Sequence, residues 1–577
     1  MKVGTLFIIL LLAMNTSFFA LQVGLVSQKN YGLDVRPAAS RVEAQADGQR
    51  WWSHVLFLAD DKLEGRNTGS EGHRKAAAYV ADHFKRAGLK PAGTSGYLQP
   101  IKFISRRILE DQSSLALIRD GKDEPLALGD DAFFNMRIEP AQAVEAPVIF
   151  AGYGLTVPEM QYDDLAGLDL RGKVVLYLSG GPSDIPGPLL AHYQSAGERW
   201  AFLKRRGAIG TIAIQNPRGT DIPWERSTLA RFQPSMVLAD ASLDETSGQT
   251  LSVTANAARA EKFFTGSGHS FKEILGLANE GKPLPTFSLP LSVKAAVRFE
   301  TAKVESQNVV GVLPGVDPGL RNEYVVLSAH LDHLGVGKPI KGDSIYNGAM
   351  DNASGIATLL EVAAKLHEAK KAPRRSVIFL AVTAEEKGLL GSKYFAAHPT
   401  VKPEAIVANL NTDMFLPLFP LRSLIVHGLD ESDLGSQLRV VASSLGLQVL
   451  ADPEPERNAF IRSDQYSFIR RGVPALSMKV GYTKGSPEAA KVAKWRTERY
   501  HAPSDDVRQP VDLTAAADFN QVMLRLTEAI ANRTERPKWN SDSFFRRFAA
   551  PQSTVKALPG EVRFRASRFF QRFTASR

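Results

Sequence analysis

A chain of 577 residues, 44% hydrophobic and 23% charged, is too long for one ordinary domain and too apolar to be disordered. Of its net charge of +9, +7 falls between Glu535 and Arg577, where ten Lys/Arg face three Asp/Glu. The rest is nearly neutral, so no nucleic-acid partner is expected, and the absence of cysteine excludes disulfides, thiolate metal ligands and a cysteine nucleophile.

Residues 1–27 follow one lysine with an apolar run from Val3 to Val26. This is the pattern of an export signal, and the run is long enough to remain as a membrane anchor. With no cysteine in the chain, the expected location is the bacterial periplasm or the extracellular side. Residues 28–145 carry one clear helix signal, with Ser70 as cap, Ala76, Val80 and Phe84 on one face, and Gly88 as stop. Over 146–295 the texture changes to short strand-like runs broken by Gly and Pro, such as PVIFAGYGL and GKVVLYLSGGP. That predicts an inserted, mostly β module.

Over 296–535 strands and helices alternate. NVVGVLPG, EYVVLSA, SVIFLAV, AIVANLNT, SLIVHG and PALSMKV read as strands, with helices over about 354–369, near 434–445 and over about 513–532. This alternation predicts an α/β fold with a mostly parallel central sheet flanked by helices. Residues 536–577 form a basic tail. In EVRFRASRFFQRFTASR, Val562, Ala566, Phe569, Phe570 and Phe573 share one helical face, the pattern of a helix contacting an anionic membrane surface. Packing on the body and a disordered end are the alternatives.

Polar residues gather where the strands end. EYVVLSA runs into His330, Asp332 and His333, SVIFLAV into Glu385 and Glu386, and AIVANLNT into Asp413. Ligands of open α/β sheets bind outside the carboxyl ends of the strands. Asp351 precedes the helix expected near Ser354, and His501 lies in YHAPSDD. Singly each has a plainer use: a cap, a satisfied histidine, a solvated acidic face. Together their types match two cations held by oxygen and imidazole, which would relieve the repulsion between Glu385 and Glu386.

The series SAHLDHLG, YNGAMDNASG, TAEEKGLLGS, NLNTDMF and YHAPSDD resembles peptidase family M28, the zinc aminopeptidase and carboxypeptidase class, over roughly Gln307 to Asn532. Residues 146–295 resemble the protease-associated (PA) domain that several members carry as an insertion. The resemblance implies a zinc-exopeptidase-like fold and two Zn2+ per chain. His330 and Asp413 would hold one ion, Glu386 and His501 the other, and Asp351 would bridge them. It further implies Glu385 as general base, Asp332 as the carboxylate orienting His330, and Tyr500 as hydrogen-bond donor to the oxyanion. At Asn352 the chain departs from the Asp–Asp pair frequent in the family, and a cis peptide is implied between 351 and 352.

The implied activity is hydrolysis of peptide substrates, first of all from the N-terminus. A carboxypeptidase, a glutaminyl cyclase and a non-catalytic binding ectodomain are the alternatives. NTDMFLPLFPLRSL is a candidate pocket wall or ordinary packing. Asp464 and Arg462 are candidates for a substrate α-amine and carboxylate, with structural ion pairs as the plainer use. The sequence leaves the oligomeric state open.

Overall fold

The structure, a computed structural model, describes residues 38–549 apart from 220, 221 and 458. Its larger sheet has ten strands. Across it run Ser235–Leu238, Leu98–Ile108, Phe299–Leu313, Ser376–Val382, Tyr324–His330, Ile406–Asn411, Ala475–Val480, Ser423–His427 and Gln448–Leu450, with Lys90–Pro91 paired to Phe299–Leu313. The middle is parallel: Tyr324–His330 lies between Ser376–Val382 and Ile406–Asn411, and Ala475–Val480 follows.

Every residue of Ser376–Val382 is buried, as a strand covered on both faces requires. Strand alternation sends Val325, Leu327, Val377 and Phe379 into one core, and Val326, Ile378 and Leu380 into another. Helices Ala38–Leu58, Glu71–Arg86, Ser354–Glu368 and Leu513–Asn532 close the first core; Leu390–Ala397 and Gln465–Ile469 close the second. Local chemistry sets the helix starts. Ser70 accepts from His73 N, and Asp512 accepts from Ala515 N.

A second sheet of eight strands is drawn from the stretch between Ser114 and Ala296. Ala143–Ala151, Val174–Leu178, Gly210–Ile214 and Leu251–Ala255 run parallel within it. Helices Gly187–Gln194, Ala196–Arg205 and Phe271–Asn279 belong to the same stretch, which has its own core around Phe150, Leu176, Ile212 and Val253. One strand of this stretch, Ser235–Leu238, pairs instead with Leu98–Ile108 on the edge of the larger sheet.

The apolar segment 1–27 and the amphipathic stretch 561–577 lie outside the described residues. Among the described residues no helix is long and apolar enough to cross a membrane. The described residues thus supply no membrane anchor, which corrects that part of the expected location. The two longest helices, Ala38–Leu58 and Leu513–Asn532, carry Asp47, Arg50, Arg525 and Glu528 among their apolar positions.

Candidate metal centre

The exits of the parallel strands bring the charged residues together. His330 ends its strand, Glu385 and Glu386 follow Val382 by a short turn, and Asp413 lies just past Asn411. Asp351 approaches from a kinked segment ahead of the Ser354–Glu368 helix and is not its cap; the first turn of that helix is met instead by Asn352 Oδ1, which accepts from Gly355 N at 3.0 Å. His330 Nε2 lies 3.2 Å from Asp351 Oδ1 and 3.5 Å from Asp413 Oδ1. His501 Nε2 lies 3.3 Å from Asp351 Oδ2 and 3.2 Å from Glu386 Oε2. Asp351 therefore faces one group through each oxygen. Its peptide bond to Asn352 is cis.

Left-handed backbone at Ala384, Met414 and His501 turns the chain at three of these places. Residues with a Cβ adopt it mostly where their surroundings enforce it. Gly348 is left-handed too, and a Cβ there would meet Asp351 O at 2.2 Å and His333 Cγ at 2.5 Å, so only glycine fits.

One implied role needs correcting. His330 Nδ1 lies 3.1 Å from the backbone carbonyl of Asp332, and that carbonyl, not the carboxylate, orients the ring. The Asp332 carboxylate accepts from Glu385 N at 3.0 Å and from Thr68 Oγ1 at 3.1 Å. The chain has already left its strand there, which turns the side chain toward the neighbouring strand's exit.

Other residues, given no role by the sequence, complete the frame. Asp505 accepts from Met350 N and Asp351 N, both at 3.0 Å, and from Gln509 Nε2 at 2.7 Å. Its signal was its place beside His501 in YHAPSDD. Arg66 is fully buried and donates to Leu331 O at 2.9 Å, Asn347 O at 2.7 Å, Gly348 O at 3.0 Å and also to Leu58 O. No sequence signal marked it. Asn352 Nδ2 donates to Thr412 O at 2.9 Å, tying the Asp351 segment to the strand that delivers Asp413. His333 Nδ1 lies 2.7 Å from Glu386 Oε1 without hydrogen-bond alignment.

Burial opposes charge on His330 and His501, but the carboxylates around them prevail. Glu385, Asp351 and Asp413 hold His330 well above the ordinary imidazole value, and Glu386 and Asp351 do so for His501. Burial, reinforced by Glu386, Asp413 and Asp464, pushes Glu385 well above the usual carboxylate range. Glu386 Oε1, Asp413 Oδ1 and both His333 nitrogens are buried without an aligned partner. Buried polar atoms are ordinarily satisfied. Here the unsatisfied atoms are cation donors, in two groups that share Asp351: His330 with Asp413, and His333 with Glu386. The residues fit a pair of cations with oxygen and nitrogen ligands.

A cavity of about 110 Å³ opens beside Asp413 and Tyr500. The Tyr500 ring lies over His501 with centres 4.0 Å apart, and burial pushes its hydroxyl up to about 12. Met414, Phe415 and Leu416 wall the cavity, and Phe415 also stacks on Phe519 at 4.1 Å, so this segment both lines and packs. Asp464 is fully buried, and neither of its oxygens has an aligned partner. Burial first, then Asp413 and Asp332, push it up to about 7 against the pull of His330.

An α/β sheet with imidazole and carboxylate donors at its carboxyl edge is the scaffold of a metal-dependent hydrolase class. Residues 308–527 match the model of Peptidase family M28, and that part of the chain belongs to the family. Leupeptin-inactivating enzyme 1 of Streptomyces exfoliatus is 29% identical over 200 residues, 34% of this chain and 41% of that protein. Aminopeptidase YwaD of Bacillus subtilis (strain 168) is 28% identical over 231 residues, 38% of this chain and 45% of that protein. The chain thus spans less than half the length of these curated relatives. An aminopeptidase from Aneurinibacillus sp. strain AM-1 shares the fold, with TM-score 0.52 at 19% identity, covering 85% of this chain and 98% of that one.

Proposed function

We propose that this chain is a two-zinc exopeptidase that removes residues from the N-terminus of peptide substrates. The observation that carries the reading is the placement of Asp351, with one oxygen toward His330 and the other toward His501. Zinc ions held by His330 with Asp413 and by Glu386 with His501, sharing Asp351, would supply Lewis-acid activation of a water and of the scissile carbonyl. The remaining steps fall to the chain. Glu385 takes a proton from the attacking water and delivers it to the amine nitrogen as the C–N bond breaks. Asp332 fixes the backbone of Glu385. Tyr500 donates to the carbonyl oxygen as it gains charge. His333, packed against Glu386, restrains that carboxylate.

The 146–295 stretch, which supplies most of the second sheet and core, is read as the protease-associated insertion. Residues 28–113 and 296–535 are read as one peptidase domain around the larger sheet; the boundary expected at 145 falls inside the second sheet, whose strands begin at Ser114. Zinc analysis with assays of aminoacyl-p-nitroanilides and N-blocked peptides tests the reading. It expects about two zincs per chain and cleavage that requires a free N-terminus. One zinc with cyclisation of N-terminal glutamine would favour the cyclase, and trimming of N-blocked peptides from the C-terminus would favour a carboxypeptidase. A chain that binds no metal would sink the proposal.

A further inference from the structure

The cavity beside Asp413 has a charged floor. The floor is one face of the antiparallel pair Ser423–His427 and Ala475–Val480, where Ile425 opposes Lys479 and His427 opposes Ser477. Their alternate neighbours, Leu424, Val426 and Met478, point into the main core. Lys479 is thus fixed by strand register on the cavity side.

The acids around this floor are already committed. Asp452 Oδ2 lies 3.3 Å from His427 Nδ1. Glu454 accepts from Arg496 NH2 at 2.8 and 3.0 Å and from the Tyr482 hydroxyl at 2.6 Å. The Lys479 ammonium makes no hydrogen bond or ion pair among the described residues. Burial pushes its ammonium below the ordinary lysine value, and the carboxylate of largest effect upon it is Asp413, which the proposed function assigns to a cation. Among the described residues the Arg462 guanidinium, at the same cavity, finds only the carbonyl of Arg457, at 3.5 Å. A partly desolvated cation without a direct ion pair is costly, and an arriving anion relieves it.

We propose that this cavity is a carboxylate-binding subsite, with Lys479 on its floor and Arg462 beside it, that selects substrates by an anionic group next to the scissile bond. The proposal rests on the peptidase reading above. Under that reading the carboxylate is the side chain of an N-terminal Glu or Asp; the other source of the same chemistry is a free C-terminal carboxylate.

The test compares kcat/KM of the full chain and of Lys479→Met on glutamyl- and leucyl-p-nitroanilide and on N-blocked peptides with free C-termini. Binding of glutarate is measured by calorimetry on both proteins. The wild type should favour the glutamyl over the leucyl substrate, and Lys479→Met should lower that ratio by about 10- to 100-fold, mainly through KM. Lys479→Arg should keep most of the preference, which separates lost charge from lost folding. If only N-blocked peptides are cleaved, in a manner sensitive to Lys479→Met, the subsite stands with the C-terminal carboxylate as ligand and the aminopeptidase reading falls. If nothing is cleaved, the peptidase reading falls, and glutarate binding that Lys479→Met abolishes still supports the subsite. A leucyl preference in the wild type, an unchanged ratio in Lys479→Met, or the absence of glutarate binding overturns it.

Discussion

The backbone N–H of Glu385 donates to Asp332 Oδ1 at 3.0 Å, joining the exits of two neighbouring parallel strands. Asp332→Ala should leave a buried donor without its acceptor, at a cost of about 1–3 kcal/mol, and lower kcat more than it changes KM. Asp332→Asn keeps an acceptor oxygen and should recover most of both. Denaturant unfolding and steady-state kinetics on the pair decide it.

Under the proposed function, Glu385→Gln removes a base and no ligand. Its zinc content should match the wild type while turnover falls about 10²- to 10⁴-fold. Glu386→Gln should instead lose metal, with activity partly restored by added zinc. Metal analysis of the two variants separates the roles, and loss of zinc in Glu385→Gln alone would show the pair to be reversed.

Asp505 holds the backbone of Met350 and Asp351. Asp505→Ala should loosen Asp351 and weaken metal affinity by about 10- to 100-fold without removing any ligand atom. Competition against a chelator of known affinity measures this.

Arg66 spreads one planar guanidinium over four carbonyls. Lysine cannot reproduce that fork, so Arg66→Lys should cost about 2–4 kcal/mol despite keeping the charge. Equilibrium unfolding checks the loss.

Asp164 accepts from Tyr153 N at 3.0 Å, Leu155 N at 3.1 Å and the Tyr162 hydroxyl, yet burial outweighs these bonds and pushes it up to about 6. The folded chain therefore holds this proton more tightly than the unfolded chain. The resulting stabilisation is complete below about pH 4 and is lost as pH rises to about 6. Between those values the wild type should lose up to about 1–3 kcal/mol relative to Asp164→Asn. Denaturant midpoints of both proteins at pH 4 and pH 6.5 test the sign.

What could be read from the sequence was what is decided locally. Ser70 caps a helix because its hydroxyl reaches His73 N, three residues away. The strand exits were visible because apolar runs stop where His330, Glu385 and Asp413 begin, and the structure brings these together with Asp351, Glu386 and His501. What escaped depends on direction across the fold. Asp332 sits two residues from His330 but gives its carboxylate to another strand's exit. Arg66 meets loops that its own neighbourhood does not foreshadow. Lys479, between Met478 and Val480, reads as one polar residue in a strand, and only its register against Ile425 places it on a cavity floor.

The strand Ser235–Leu238 makes the second module a seal as well as a neighbour. It covers Phe103 to Arg106 on Leu98–Ile108, which would otherwise end the larger sheet as a bare edge. Exposed edges recruit strands from other molecules. A shortened chain that deletes this stretch would lose its guard against self-association even with every ligand of the metal centre intact, so a domain-swap cassette cut at the module's sequence ends must carry a replacement edge strand or a lysine placed to repel one.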